Sequence, residues 1–179
     1  MRDRLVRAGV ELVAEGGTVS LREIARRAGV SHGAPRRYFP THVELLSAIA
    51  GEGFASLGAC LAAVPPEGPP RARLSALAHA YVEFATANRG MYELMFRHDL
   101  LRSDRLGLRE TSLPLFESLA ALLAAARPTP DPVAAAGALW SNLHGIIQLW
   151  WWGSLPLAAG PDSLPALIDA AVAAHAGPS

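Results

Sequence analysis

An all-α fold is predicted for this 179-residue chain by three features. Apolar residues recur at helical spacing along most of its length, capping patterns stand in front of those stretches, and no segment sustains the alternation of a strand. Hydrophobic residues make up 51% and charged residues 18% of the chain, which is enough apolar surface for a real core and unlike the balance of a disordered segment.

The first helix is expected over residues 2–15, with Leu5, Val6, Ala8, Leu12 and Val13 on one face and Gly16 and Gly17 ending it. Ser20 and Glu23 form a capping-box pattern for a short second helix, 21–28, in which the Ser20 hydroxyl takes the Glu23 N–H and the Glu23 carboxylate reaches back. Gly29 stands where a helix ends in a left-handed residue, followed by the apolar Val30. Ser31 is then placed to cap a third helix over 32–38, although Pro35 lacks an N–H and should shorten or tighten its first turn. After Pro40, Thr41 and Glu44 repeat the capping box and open a longer helix to about residue 61. Residues 64–70 hold four prolines and read as a connector. Helical spacing resumes from Leu74 to Phe84 and breaks at 88–90. Further helices are expected over 91–97 and 112–126, from Pro132 behind an Asp131 N-cap to about 152, and over 163–176.

Sixteen Arg balance sixteen acidic residues, with no Lys, so the formal net charge is zero. The sum hides a division. Residues 1–50 carry eight Arg against five acids, a balance of +3, and no Arg follows residue 127. Every cation is therefore a planar fork suited to phosphate or base edges. The single Cys60 excludes an internal disulfide or a multi-cysteine zinc site and fits a reducing cytoplasm. The start lacks the uninterrupted apolar stretch of a signal peptide. Residues 132–161 contain no Asp, Glu, Lys or Arg, but Ser141, Asn142, His144 and Gln148 interrupt them and no basic cluster flanks them. A buried helical interface is expected there, not a membrane span.

Two short helices joined by a Gly-containing turn are the helix-turn-helix arrangement, whose second helix enters the major groove. Here that helix offers His32, Gly33, Ala34, Arg36, Arg37 and Tyr38 on the net-basic part of the chain. Arg reads guanine or grips phosphate, Tyr binds phosphate, and Ala meets a thymine methyl. The competing reading of any one of these residues is an ordinary solvated face. Their combination is more specific.

The segment SLREIARRAGVSHGAPRRYFPTHVELLSAI, residues 20–49, resembles the DNA-binding domain of TetR family transcriptional regulators. The resemblance implies a three-helix reading head over residues 1–45 and a helical-bundle ligand-binding and dimerisation domain over 46–179. It places Ser20 at a capping hydroxyl that touches phosphate and Ser31 to Ala34 at the front of the recognition helix. Arg36 stands where the family commonly has a phosphate-binding Tyr, Tyr38 lies two positions later, and His42 replaces the usual Lys at the start of the fourth helix. Trp140, His144 and Gly145 in LWSNLHGIIQLWWWG are similar to the Trp, His-Gly pattern of one C-terminal subgroup.

For the C-terminal part, Trp140, His144, Ile147 and Trp151 share one helical face. Core or subunit interface is the ordinary reading of that stripe, and an apolar ligand site with one polar group is the sharper one. Tyr81, Phe84, Met91, Tyr92, Met95, Phe96 and Phe116 invite the same two readings. Phe84, Tyr92, Met95, Phe96 and Phe116, with the four-residue stripe, form the expected binding set for a small hydrophobic effector. His79 and Glu83 lie one turn apart without a third metal ligand, so a surface pair is the stronger reading. No catalytic motif is present and no cofactor is expected.

The expected protein is a cytoplasmic, non-enzymatic repressor, homodimeric through its last two helices and released from a palindromic double-stranded operator by its effector. The alternative is a helical small-molecule-binding protein or enzyme whose N-terminal head serves protein interaction.

Overall fold

The computed structural model describes residues 1–17, 19–103 and 107–177. They form α1 (Arg2–Ala14), α2 (Leu21–Arg27), α3 (Ala34–Tyr38), α4 (His42–Ala62), α5 (Pro70–Ala87), α6 (Arg89–Met95), α7 (His98–Ser103), α8 (Leu108–Ala126), α9 (Pro132–Trp151), α10 (Ser154–Ala159) and α11 (Leu164–Ala176), with no strand among the described residues.

The chain divides into two compact units. The first comprises Met1–Leu57 and Asn88–Ser112, the second Gly58–Ala87 and Leu113–Ser179. Packing thus draws its boundary elsewhere than the 1–45 and 46–179 division. A physical reason is size: a head of some forty-five residues buries too little surface to be stable alone. In the first unit α1 packs on α2, α3 and α6, around a core that includes Leu5, Ile24, Phe39, Leu45, Ile49, Tyr92 and Met95. Two glycines permit close helix approach there. A Cβ on Gly9 would collide with Ile49 Cδ1, and one on Gly53 would lie 2.7 Å from the sulfurs of Met91 and Met95.

In the second unit α9 packs on α5, α10 and α11, and α11 also packs on α5. The Leu139, Leu143 and Ile146 side of α9 is buried, as its helical spacing requires. Asp131 Oδ1 accepts the Ala134 N–H at 2.9 Å, with Pro132 at the first helical position. On α5 and α11, His79 Nε2 and Ser75 Oγ donate to Asp169 Oδ1 at 2.9 and 3.2 Å.

Several boundaries differ from the sequence-based expectation. The 88–90 break is a single non-helical residue, Asn88, before α6. α8 starts at Leu108, one turn before residue 112, because Leu108 is buried in the first unit, and Pro114 consequently falls inside the helix. The short α7 and α10 were not anticipated. Gly153, at φ 77°, ends the long C-terminal helix and starts α10, so residues 132–161 are not one continuous helix. Among the described residues one helix, α4, is long and apolar enough to cross a membrane by length and composition alone. Leu45, Leu46, Ile49, Phe54 and Leu57 of that helix are buried against the protein itself.

Candidate nucleic-acid interface and aromatic cluster

The α2–turn–α3 segment is built from local hydrogen bonds. Ser20 Oγ accepts the Glu23 N–H at 3.2 Å, satisfying one of the donors that a helix start leaves without a partner. The reciprocal half of the expected capping box does not form, because Glu23 turns its carboxylate to Arg26. A charge-assisted bond to a guanidinium is stronger than one to a neutral backbone N–H. At the other end of α2, Gly29 has φ 63° and donates its N–H to the Arg26 carbonyl, while Val30 donates to Ala25. This pair of bonds is the Schellman ending, and the left-handed residue within it favours glycine.

The expected start of α3 needs correction. The helix begins at Ala34 with Gly33 as N-cap, and Ser31 makes no side-chain cap. Instead the Ser31 carbonyl accepts the Ala34 N–H at 2.9 Å in a preceding turn. Pro35 explains the shift, because a residue with no N–H is tolerated only in the first helical turn. His32 and Gly33 consequently lie in that turn and not in the helix.

Pro35 and Phe39, one turn apart, face inward and are buried, and the Arg2 guanidinium lies 5.0 Å from the Phe39 ring centre. Successive helical residues turn by about 100°. With Pro35 and Phe39 inside, Arg37 therefore points most directly away from the core, while Arg36 and Tyr38 lie on its flanks. His32, Gly33, Arg36, Arg37, Tyr38 and His42 are exposed, as is Ser31; Ser20 and Ala34 are half-buried.

The eight Arg residues of the first fifty are not equivalent. Arg26 pairs with Glu23, and Arg27 pairs with Glu15 and Glu11. The Arg27 bond holds the Glu15 carboxyl below its ordinary pKa. Arg4 donates from Nη2 to the Ala28 carbonyl at 2.6 Å. Arg7, Arg22, Arg36 and Arg37 make no hydrogen bond or ion pair with the described residues. Arg36 and Arg37 thus retain their full donor capacity, flanking and facing the open side of α3. His42 is engaged through Nε2, 2.8 Å from the Val19 carbonyl.

The nine expected ligand residues fall into two groups. Phe84, Phe116, Trp140, His144, Ile147 and Trp151 belong to the second unit, whereas Tyr92, Met95 and Phe96 belong to the first. Tyr92 and Met95 are wholly buried. Tyr92 meets Phe96 at 4.7 Å between ring centres, and Phe96 meets Phe54 edge-on at 5.6 Å, which is core packing. In the second unit Phe116 and His144 lie edge-on to Trp140 at 6.2 and 5.9 Å. The Trp140 indole N–H donates to Tyr81 Oη at 3.0 Å. Tyr81 is thus the polar anchor of this cluster, joined to Trp140 by a bond that spans 59 positions and has no local sequence signature. His144 is half-buried, and burial lowers its pKa by disfavouring the charged imidazolium. Ile147 and Phe84 are buried, while Trp151 is half-buried.

His79 bonds Asp169 of α11 across 90 positions. No group of three or more His, Cys, Asp or Glu among the described residues could hold a metal ion.

This arrangement matches two sequence profiles. That of bacterial regulatory proteins of the tetR family covers residues 5–49, and that of the tetracyclin repressor-like C-terminal domain covers residues 74–175. No curated protein is significantly similar to the chain. Among solved structures, a protein of unknown function from Rhodococcus sp. RHA1 is 29% identical, over 98% of this chain and 93% of that one, with a TM-score of 0.76. A transcriptional regulator from the same organism is 25% identical, over 97% and 95%, with a TM-score of 0.72. The multidrug binding protein EbrR, solved with imidazole, is 27% identical, over 99% and 96%, with a TM-score of 0.60. With its C-terminal profile match alone spanning more than half of its length, the chain belongs to the TetR family of transcriptional regulators, which have a DNA-binding N-terminal domain and a ligand-binding C-terminal domain.

Proposed function

We propose that this regulator is a homodimeric repressor that occupies a palindromic operator and is released by a small hydrophobic effector. The observation that carries the reading is the open side of α3, where Arg36 and Arg37 have no partner among the described residues while Pro35 and Phe39 fasten the opposite side to the core. Residues 1–45 act as the reading head and 46–179 as the ligand-binding and dimerisation body. Ser20, Ser31, His32, Gly33, Ala34, Arg36, Arg37 and Tyr38 make up the duplex-facing surface, with His42 bordering it at the start of α4. Arg37 and His32 read bases, and Arg36 grips phosphate from the flank.

Dimerisation runs through the last long helices, α9 and α11. On α9 and its C-cap, Ala134, Ala138, Ser141, Leu149 and Trp152 are exposed at helical spacing, with Leu149 at 40% and Trp152 at 70% exposure and no charge among them. On α11, Ala166, Ala170 and Ala174 are exposed in the same manner. Such faces gain by pairing across a two-fold axis, which sets two reading heads on successive major-groove faces. The effector site is the aromatic cluster around Trp140, Tyr81, Phe116 and His144. That EbrR is a multidrug binding protein supports a small-molecule role for this domain. An effector acts only through its affinity difference between operator-competent and incompetent states. The protein works by binding and not by catalysis, in the cytoplasm where its operator lies.

The test is a fluorescence-anisotropy titration of the chain's own upstream DNA against a scrambled duplex at moderate salt. A preference for the upstream DNA is expected, with affinity falling steeply as salt rises. Arg36→Ala should weaken all duplexes alike and flatten the salt slope by about 0.9, whereas Arg37→Ala and His32→Ala should change sequence preference. Equal binding to both duplexes removes the regulator reading, and uniform loss from all three variants removes the assignment of base readers.

A further inference from the structure

Both ends of α2 are held by a side chain from another helix that bonds a main-chain carbonyl. Arg4 of α1 holds the Ala28 carbonyl at the C-terminal end. His42, the first residue of α4, holds the Val19 carbonyl 2.8 Å away, immediately before the N-cap Ser20. A carbonyl only accepts, so the ring donates its proton from Nε2. The Val19 bond therefore turns the Nε2–H of His42 to the main chain, not to a phosphate.

We infer that His42 is a positioning residue whose bond to Val19 fixes the entry of the chain into α2, and with it the placement against the duplex of the Ser20 hydroxyl and of Arg22, which has no partner among the described residues. The inference rests on the DNA-binding reading above and assigns the part that His42 plays in it. Three features support this role over direct phosphate contact. The Nε2 donor is committed, the acceptor adjoins the residue that caps α2, and the bond joins positions 23 apart that no local turn would hold. In α2 itself, the Ser20 cap and the Gly29 ending set the helix bounds but not its placement relative to α4. The His42 bond supplies that constraint at the N-terminal end, as Arg4 does at the other end from α1.

Three variants of the full chain separate the roles. His42→Gln keeps an uncharged donor at similar reach, His42→Ala removes the donor, and His42→Lys substitutes a flexible cation able to reach phosphate. Operator affinity is measured by anisotropy across a salt series, and amide hydrogen exchange of residues 20–24 is measured in the DNA-free protein. His42→Gln should bind within about 2-fold of the parent, whereas His42→Ala should bind about 3- to 10-fold more weakly, as loss of one hydrogen bond implies. The salt slope should be unchanged in both, because no phosphate neutralisation is lost. Exchange of residues 20–24 should accelerate in the Ala and Lys variants and not in Gln.

The inference is overturned if His42→Ala flattens the slope by about 0.9, if His42→Lys binds as tightly as the parent while Gln does not, or if exchange at 20–24 is the same in all variants. A parent protein without operator preference would instead overturn the DNA-binding reading. The exchange measurement, made without DNA, keeps the two failures apart.

Discussion

Gly9 is the position at which the spacing of α1 and α4 is most exposed to test. A Cβ there would collide with Ile49 Cδ1, lie 2.8 Å from Ile49 Cγ1 and 3.6 Å from Ile24 Cδ1. Both isoleucines are wholly buried, and a β-branched side chain has little rotamer freedom with which to move aside. Gly9→Ala should gain about 1 kcal/mol from helix propensity and lose about 2–3 kcal/mol to overpacking. The net loss is about 1–2 kcal/mol, which for a chain of this size lowers Tm by about 2–8 °C. Thermal and urea unfolding followed by circular dichroism measure it. Ile49→Val removes the colliding Cδ1 and alone costs about 0.5–1.5 kcal/mol. Combined with Gly9→Ala it should cost less than the sum of the two, by about 1 kcal/mol, since the crowded atom is gone. A Gly9→Ala protein more stable than the parent, or a double variant additive within about 0.5 kcal/mol, would refute the argument that close helix approach requires glycine here.

Three further outcomes are expected. Ser20→Ala removes the α2 cap and should cost about 1 kcal/mol in urea unfolding, with Ser20→Asp close to the parent. Trp140→Phe and Tyr81→Phe each break the indole-to-hydroxyl bond, so each should destabilise by about 1 kcal/mol. The double variant should show a coupling of at least about 0.5 kcal/mol in a double-mutant cycle. For His144, burial lowers the folded-state pKa below the ordinary 6.5, so the unfolded chain binds its proton first as pH falls. Stability from this residue is complete above the ordinary value, declines as pH drops below it, and levels off below the lowered folded-state value. His144→Gln should flatten that acid limb in a series of unfolding curves, and an unchanged limb would refute the assignment.

The features legible in the sequence are those made within one helical turn. Ser20 with Glu23, Asp131 with Ala134, and Gly29 with Arg26 all bond residues three positions apart, so residue type and spacing are sufficient to read them. The resemblance of residues 20–49 to a TetR reading head was legible for the same reason, because a helix-turn-helix is a local motif. Failures came where a competing interaction outweighed the one that residue type and spacing suggest. Glu23 reads as half of a capping box, yet its carboxylate goes to Arg26. α8 reads as beginning near Ser112, yet burial of Leu108 extends it toward the N-terminus. Ser31 reads as a cap, but Pro35 moves the start of α3 beyond it.

Net charge shows the division most clearly. Counting by region already exposed a basic head behind a total of zero. The number of Arg residues is a property of the chain, but their availability is a property of its folded neighbours. Arg27 is engaged by Glu15 across twelve positions and Arg4 by a carbonyl across 24, leaving Arg7, Arg22, Arg36 and Arg37 without partners among the described residues. The aromatic residues divide in the same way: helical periodicity marks them as apolar faces, but it is packing that puts Tyr92, Met95 and Phe96 in one unit and Trp140 with its Tyr81 partner in the other. Helix ends and amphipathic faces follow from backbone geometry and residues within reach along the chain. Which donor meets which acceptor across 23, 59 or 90 positions follows from the fold alone, since hydrogen bonds form only at about 3 Å and sequence separation does not measure distance in space.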